Sequence, residues 1–92
     1  MKLDIVTPEG SLFSGEIESI VVPGVNGAFE ILNQHAPIVS ILIKGDIRIK
    51  GSNIIIDDAV KERFTVNSDE VKLVINSGTL EMKNNKIIIL AE

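Results

Sequence analysis

His35 is the one histidine of the chain, and imidazole is the side chain whose ordinary pKa lets it move protons near neutral pH. As a general base it would need an orienting carboxylate and a nucleophile within hydrogen-bond reach. Its neighbours Gln34, Ala36 and Pro37 supply neither. There is no second histidine, no cysteine and no Glu-x-x-His spacing, so no transition-metal ligand set can be assembled. The acidic pairs Asp57/Asp58 and Asp69/Glu70 lack the alternating oxygen ligands and glycine of a calcium loop. They read as solvated tips. Gly24-Val25-Asn26-Gly27 has the glycine content of a phosphate loop, but no Gly-Lys-Ser/Thr follows and no helix pattern begins there. It reads as a turn. The chain is therefore expected to be no enzyme, with no catalytic residue, no cofactor and no metal.

Composition narrows the remaining classes. The 92 residues carry a formal charge of −4 with the basic residues scattered, so no stripe exists to neutralise phosphates and nucleic acid is excluded as a partner. Tyr and Trp are absent and only Phe13, Phe29 and Phe64 are aromatic, which leaves little for sugars or bases to stack on. The absence of cysteine fits a reducing compartment and means that packing alone holds the fold. No run of about 18 apolar residues occurs, and Asp4 breaks any signal-peptide pattern. A cytoplasmic chain without direct membrane insertion is the expectation.

The elements that position these residues are short strands, since Ile and Val dominate the apolar set and suit a pleated, half-buried surface. Extended runs are expected at Leu3–Thr7, 11–15, Glu16–Val22, Ala28–Leu32, Ile38–Ile43, Asp46–Lys50, Val71–Ile75, Thr79–Lys83 and Lys86–Leu90. The adjacent polar residues Glu18 and Ser19 interrupt the alternation and predict a β-bulge. Gly24 and Gly27 are able to take positive φ in a dense turn, and Asn84-Asn85 is expected to close a two-residue hairpin. The stretch Gly51–Glu70 reads as an elaborated hairpin in which Asp57-Asp58 could cap one helical turn. The whole is a single domain over residues 1–92.

Three of these strands, Ile38–Ile43, Val71–Ile75 and Ile87–Leu90, are apolar on both faces. In a two-layer sandwich one face of each strand meets water. Either another part of the chain covers the second face, or a partner does.

The punctuating segments fall in a recognisable order: Leu3-Asp4-Ile5-Val6-Thr7-Pro8-Glu9-Gly10, Leu12-Phe13-Ser14-Gly15-Glu16, Pro23-Gly24-Val25-Asn26-Gly27, His35-Ala36-Pro37, Gly45-Asp46-Ile47-Arg48-Ile49 and Ile89-Leu90-Ala91-Glu92. Together they resemble the N-terminal domain of the epsilon subunit of bacterial F-type ATP synthases. The resemblance implies an all-β, flattened sandwich of about ten short, mostly antiparallel strands. It also implies a non-catalytic rotor subunit on the cytoplasmic face of the inner membrane, coupling proton flow to ATP synthesis. Its partners would be the gamma subunit and the membrane-embedded ring. The ring-contact loop maps onto Ala28, Phe29, Glu30, Ile31, Leu32, Asn33, Gln34 and His35, and the gamma contact onto Thr7, Ser40 and Leu42. For His35 the alternatives are a polar contact with the ring or a bond to its own turn. The family pattern Gly-Ile-Leu-Pro is Glu30-Ile31-Leu32-Asn33 here, and loss of the proline is expected to loosen the loop. Family members usually continue into a helical hairpin that inhibits hydrolysis. This sequence stops at Glu92, so neither that inhibition nor ATP binding is expected of it. A stand-alone β-sandwich binding module is the alternative from a different class.

Overall fold

A computed structural model describes residues 1–92. Ten strands follow one another: β1 (Lys2–Thr7), β2 (Gly10–Glu16), β3 (Ser19–Gly24), β4 (Gly27–Leu32), β5 (Ile38–Leu42), β6 (Gly45–Lys50), β7 (Phe64–Val66), β8 (Val71–Ile75), β9 (Gly78–Lys83) and β10 (Lys86–Ala91). They form two layers, β2-β1-β10-β9-β5 and β4-β3-β6-β8-β7, joined where Gly24 of β3 pairs with Leu42 of β5. Every pairing is antiparallel except β1 with β10. The fold is all-β, and its one helical element is a 3-10 helix at Asp58–Arg63.

Alternation sets the core. Leu3, Ile5, Ile87, Ile89, Leu80 and Met82 point inward from the first layer, and Ile20, Ile31, Ile47, Ile49, Leu73 and Ile75 from the second. Burying one such side chain stabilises the fold by about 1.5–3 kcal/mol, and no disulfide assists. The hairpin at Asn84-Asn85 forms as expected, with both residues left-handed (φ 53° and 59°), as a type I′ turn requires.

One local expectation fails. The polar pair at Glu18-Ser19 marks no bulge. The chain leaves β2 after Glu16, buries Ile17, and enters β3 at Ser19. That passage is pinned to both layers, because Ile17 N–H donates to the Met1 carbonyl (2.9 Å) and Glu18 N–H to the Lys50 carbonyl (2.8 Å). The register shift lies instead between Ile5 and Val6 of β1 against β2. Gly27 takes positive φ (118°), but Gly24 does not. Gly24 is needed for space: a Cβ there would stand 2.7 Å from the Phe29 ring and 2.9 Å from the Gly27 carbonyl oxygen.

The Gly51–Glu70 stretch does contain a capped helical turn and a hairpin. Asp57 is the N-cap, accepting from Ala59 N–H at 2.9 Å. After the 3-10 helix, β7 pairs back on β8. The run Ile54-Ile55-Ile56 forms no strand; Ile54, Ile56 and Val60 pack against the core from this segment, whereas Ile55 faces solvent.

Replacing fully buried Leu80 by Ala should lower unfolding free energy by about 2–5 kcal/mol, read by urea denaturation. Val39→Ser, at an outward position of β5, should stay within about 0.5 kcal/mol.

Candidate interaction surfaces

One candidate surface begins on β4. Its partner β3 lies on one side only, and the pleat sends Ile31 into the core opposite Ile20 while Ala28, Glu30 and Leu32 stay exposed. Phe29 is half-buried opposite Val22. Of the ring-contact set, Ile31 therefore has no surface to offer a partner. The phase of the strand decides it.

The chain then turns through Asn33–Pro37. His35 N–H donates to the Leu32 carbonyl (3.2 Å), and Gln34 sits in the left-handed region (φ 64°). Asn33 Oδ1 accepts from Asn85 Nδ2 (2.9 Å) and from the amino group of Met1 (3.3 Å). Gln34 N–H donates to Asn85 Oδ1 (2.8 Å). Where a proline would stiffen the backbone, this asparagine is fastened by its side chain. His35 is exposed, and its Nδ1 lies 2.7 Å from the Ala36 carbonyl oxygen. A carbonyl only accepts, so Nδ1 carries the proton there, and the ring is held by its own turn with Nε2 outward.

The second surface is the outer face of the first layer. Cross-strand register places Val6, Leu90, Thr79 and Ile41 side by side on β1, β10, β9 and β5, with Asp4, Ile88, Glu81 and Val39 as the adjacent row. Val39, Ile41 and Leu90 are 77%, 62% and 55% exposed. Val74 on β8 also faces out. No part of the chain covers the second face of these doubly apolar strands. A groove of about 530 Å³ runs along the row, lined among others by Val6, Pro8, Ile41, Gly78 and Leu90.

Of the residues singled out from the sequence on this side, Thr7 and Leu42 line the groove but expose little side chain, and Ser40 is only half-buried. Leu42 is core, and Thr7 is buried with its Oγ1 donating to the Gly10 carbonyl (3.1 Å) to close the β1–β2 turn. Ser40 is half-buried opposite Leu80, its hydroxyl on the Ile41 carbonyl (3.3 Å). Their strand neighbours Val39 and Ile41, with half-buried Val6, carry the apolar surface. The signal was present as the period of two, which assigns Leu42 to one face and Ile41 to the other.

One member of each acidic pair proves structural. Asp57 caps the 3-10 helix, and Glu70 forms a two-pronged pair with Arg48 (Nε to Oε2 2.9 Å, Nη2 to Oε1 3.0 Å). Glu70 is therefore no free tip. The Arg48 hydrogen bonds hold its carboxyl below the usual range; partial desolvation opposes this, and the charges of Arg48, Lys50 and Lys72 add to it. Nowhere do three or more His, Asp or Glu side chains converge as metal ligands would.

A depressed carboxyl pKa contributes stability that is complete above the unfolded value of about 4.3 and is lost as pH falls through the folded one. Denaturation from pH 7 to pH 2 should show the wild type losing stability below about pH 4 more steeply than Glu70→Gln. Parallel curves would refute the pair's role.

Comparison with known proteins supplies a context for both surfaces. Residues 1–60 match the family model described as ATP synthase, Delta/Epsilon chain, beta-sandwich domain. The chain is 34% identical over its full length to an ATP synthase epsilon chain of Dehalococcoides mccartyi, spanning 55% of that protein. Over 90 residues it is 38% identical to the ATP synthase epsilon chain of Chlorobaculum tepidum, spanning 86% of it. In fold it is similar to a chain in the cryo-EM structure of the Tetrahymena thermophila mitochondrial ATP synthase central stalk and c-ring. There the TM-score is 0.72 at 16% identity, over 99% of this chain and 62% of the other.

Proposed function

The chain belongs to the ATP synthase delta/epsilon family, whose epsilon chain is a non-catalytic subunit, and from that footing we propose that it couples ion flow to ATP synthesis as a central-stalk rotor component. Its two surfaces would meet two partners. The outer face of the first layer receives the gamma subunit, and the β4 end with its loop rests on the membrane-embedded ring. The observation that carries this reading is the row in which exposed Leu90 and Ile41 align with half-buried Val6, with exposed Val39 beside it. Exposed apolar surface of this kind marks an interface.

The contact with gamma accordingly shifts from Thr7 and Leu42 to their outward neighbours. The ring contact is made by Ala28, Glu30, Leu32, Gln34 and His35, the exposed members of the expected set apart from Asn33, whose side chain is engaged by Asn85 and Met1. Because no helix here is long and apolar enough to cross a bilayer, the link to the membrane runs through the ring. The site of action is then the cytoplasmic face of the membrane, peripherally, as part of the synthase. Residues 1–92 hold no helical hairpin, so the work of these residues is docking and torque transfer.

Titration with purified gamma subunit from the same organism, by calorimetry or size exclusion, should give a complex at micromolar concentration. Ile41→Glu should weaken it about 30-fold, the scale of a buried anchor lost, with the circular dichroism spectrum unchanged. No complex would sink the rotor reading and favour a stand-alone binding module. For the other surface, a cysteine at His35 (His35→Cys) should cross-link to the ring subunit in the assembled synthase; capture of gamma alone would refute the assignment.

A further inference from the structure

The loop after β4 is held from outside its own hairpin. Asn85 lies in the β9–β10 turn, 52 positions from Asn33 and 51 from Gln34, and it uses both ends of its amide on them. The orientation of that amide is dictated by its neighbours. Gln34 N–H can only donate, so Oδ1 of Asn85 must face it, which turns Nδ2 toward Asn33. The Asn33 amide is fixed in the same way, because its Oδ1 also receives the Met1 amino group. Gln34, Asn84 and Asn85 are the non-glycine residues at positive φ. A left-handed non-glycine conformation persists only where the surroundings hold it. For Gln34 the holding groups are the bond from its N–H to Asn85 and the fastening of the preceding side chain.

We propose that Asn85 is the positioning residue for the ring-facing loop: its amide clasps Asn33 and Gln34 and so sets the direction in which Gln34 and His35 are presented. This rests on the reading that the loop meets the ring. Asn85 touches the ring nowhere in this scheme and acts only through the loop. Asparagine is the side chain that meets all the demands at once, since it tolerates the left-handed turn, donates to Asn33 and accepts from Gln34. Glycine would keep the turn and lose both bonds. Aspartate would keep the acceptor for Gln34 and bring a second carboxylate oxygen against the Asn33 oxygen.

The test uses Asn85→Gly and Asn85→Asp in the full chain, with amide hydrogen exchange read by NMR. It also uses the cross-linking yield of His35→Cys to the ring in the assembled synthase. Asn85→Gly should speed exchange at Gln34 about tenfold, the scale of one lost hydrogen bond, while the strand amides and the unfolding midpoint hold. Asn85→Asp should leave Gln34 protected and shift the Asn33 side-chain amide resonances. Ring capture should fall several-fold in the glycine variant and less in the aspartate one. Unchanged exchange at Gln34 in Asn85→Gly overturns the clasp, and faster exchange with undiminished capture overturns its positioning role. Absence of capture with Asn85 intact, alongside the exchange effect, overturns the ring-facing reading and leaves the clasp standing.

Discussion

The pleat of a β-strand sends successive side chains to opposite sides, and a sandwich of two layers has a single interior. Most of what this molecule presents follows from that constraint. One cluster of 21 buried apolar residues draws on both layers, and in each strand the positions that feed it leave their neighbours facing out. Where those neighbours are charged, as in β6 with Asp46, Arg48 and Lys50 flanking Ile47 and Ile49, the outer face is finished. Where they are Val39, Ile41 and Leu90 it is not. Isolated apolar residues on a surface need no explanation, but residues lined up by register across adjacent strands do.

The same period explains how much could be read without coordinates. Clean alternation gave β6 and β9 with their inward residues, and paired asparagines gave the last turn. Strand ends were less legible, because the phase is lost where a segment such as Glu16–Val22 is two strands in different layers. The inward turn of Thr7 and Leu42 follows from alternation along β1 and β5, but only if phase is weighed above family position. What could not be read at all was contact between residues far apart in sequence. Nothing near Asn33 announces Asn85, and nothing near Arg48 announces Glu70. Gly24 shows a related limit, since its need is for room beside Phe29, which only the folded β3–β4 pair defines.

The polar groups divide by the same geometry. Acids at turns look alike in sequence, yet Asp57 satisfies a backbone N–H at the start of a short helix and Glu70 neutralises a guanidinium across the sheet. His35, the residue with the most versatile chemistry, is spent on its own turn. The apolar side chains Val39, Ile41 and Leu90, by contrast, are surface that the chain itself leaves uncovered.

The one parallel pairing in the molecule, β1 beside β10, bears on how the chain comes to be folded. Lys2 to Val6 are synthesised long before their neighbours Lys86 to Leu90. The hairpins β1–β2, β3–β4 and β9–β10 can close locally, yet the first layer stays open between β1 and β9 until the final strand inserts. Pairings of such sequence separation slow folding, because the loop must be closed before the contacts reward it. During that interval Leu3, Ile5 and the edge of β1 are uncovered. A nascent chain is therefore exposed to wrong pairing at β1 until β10 has been made.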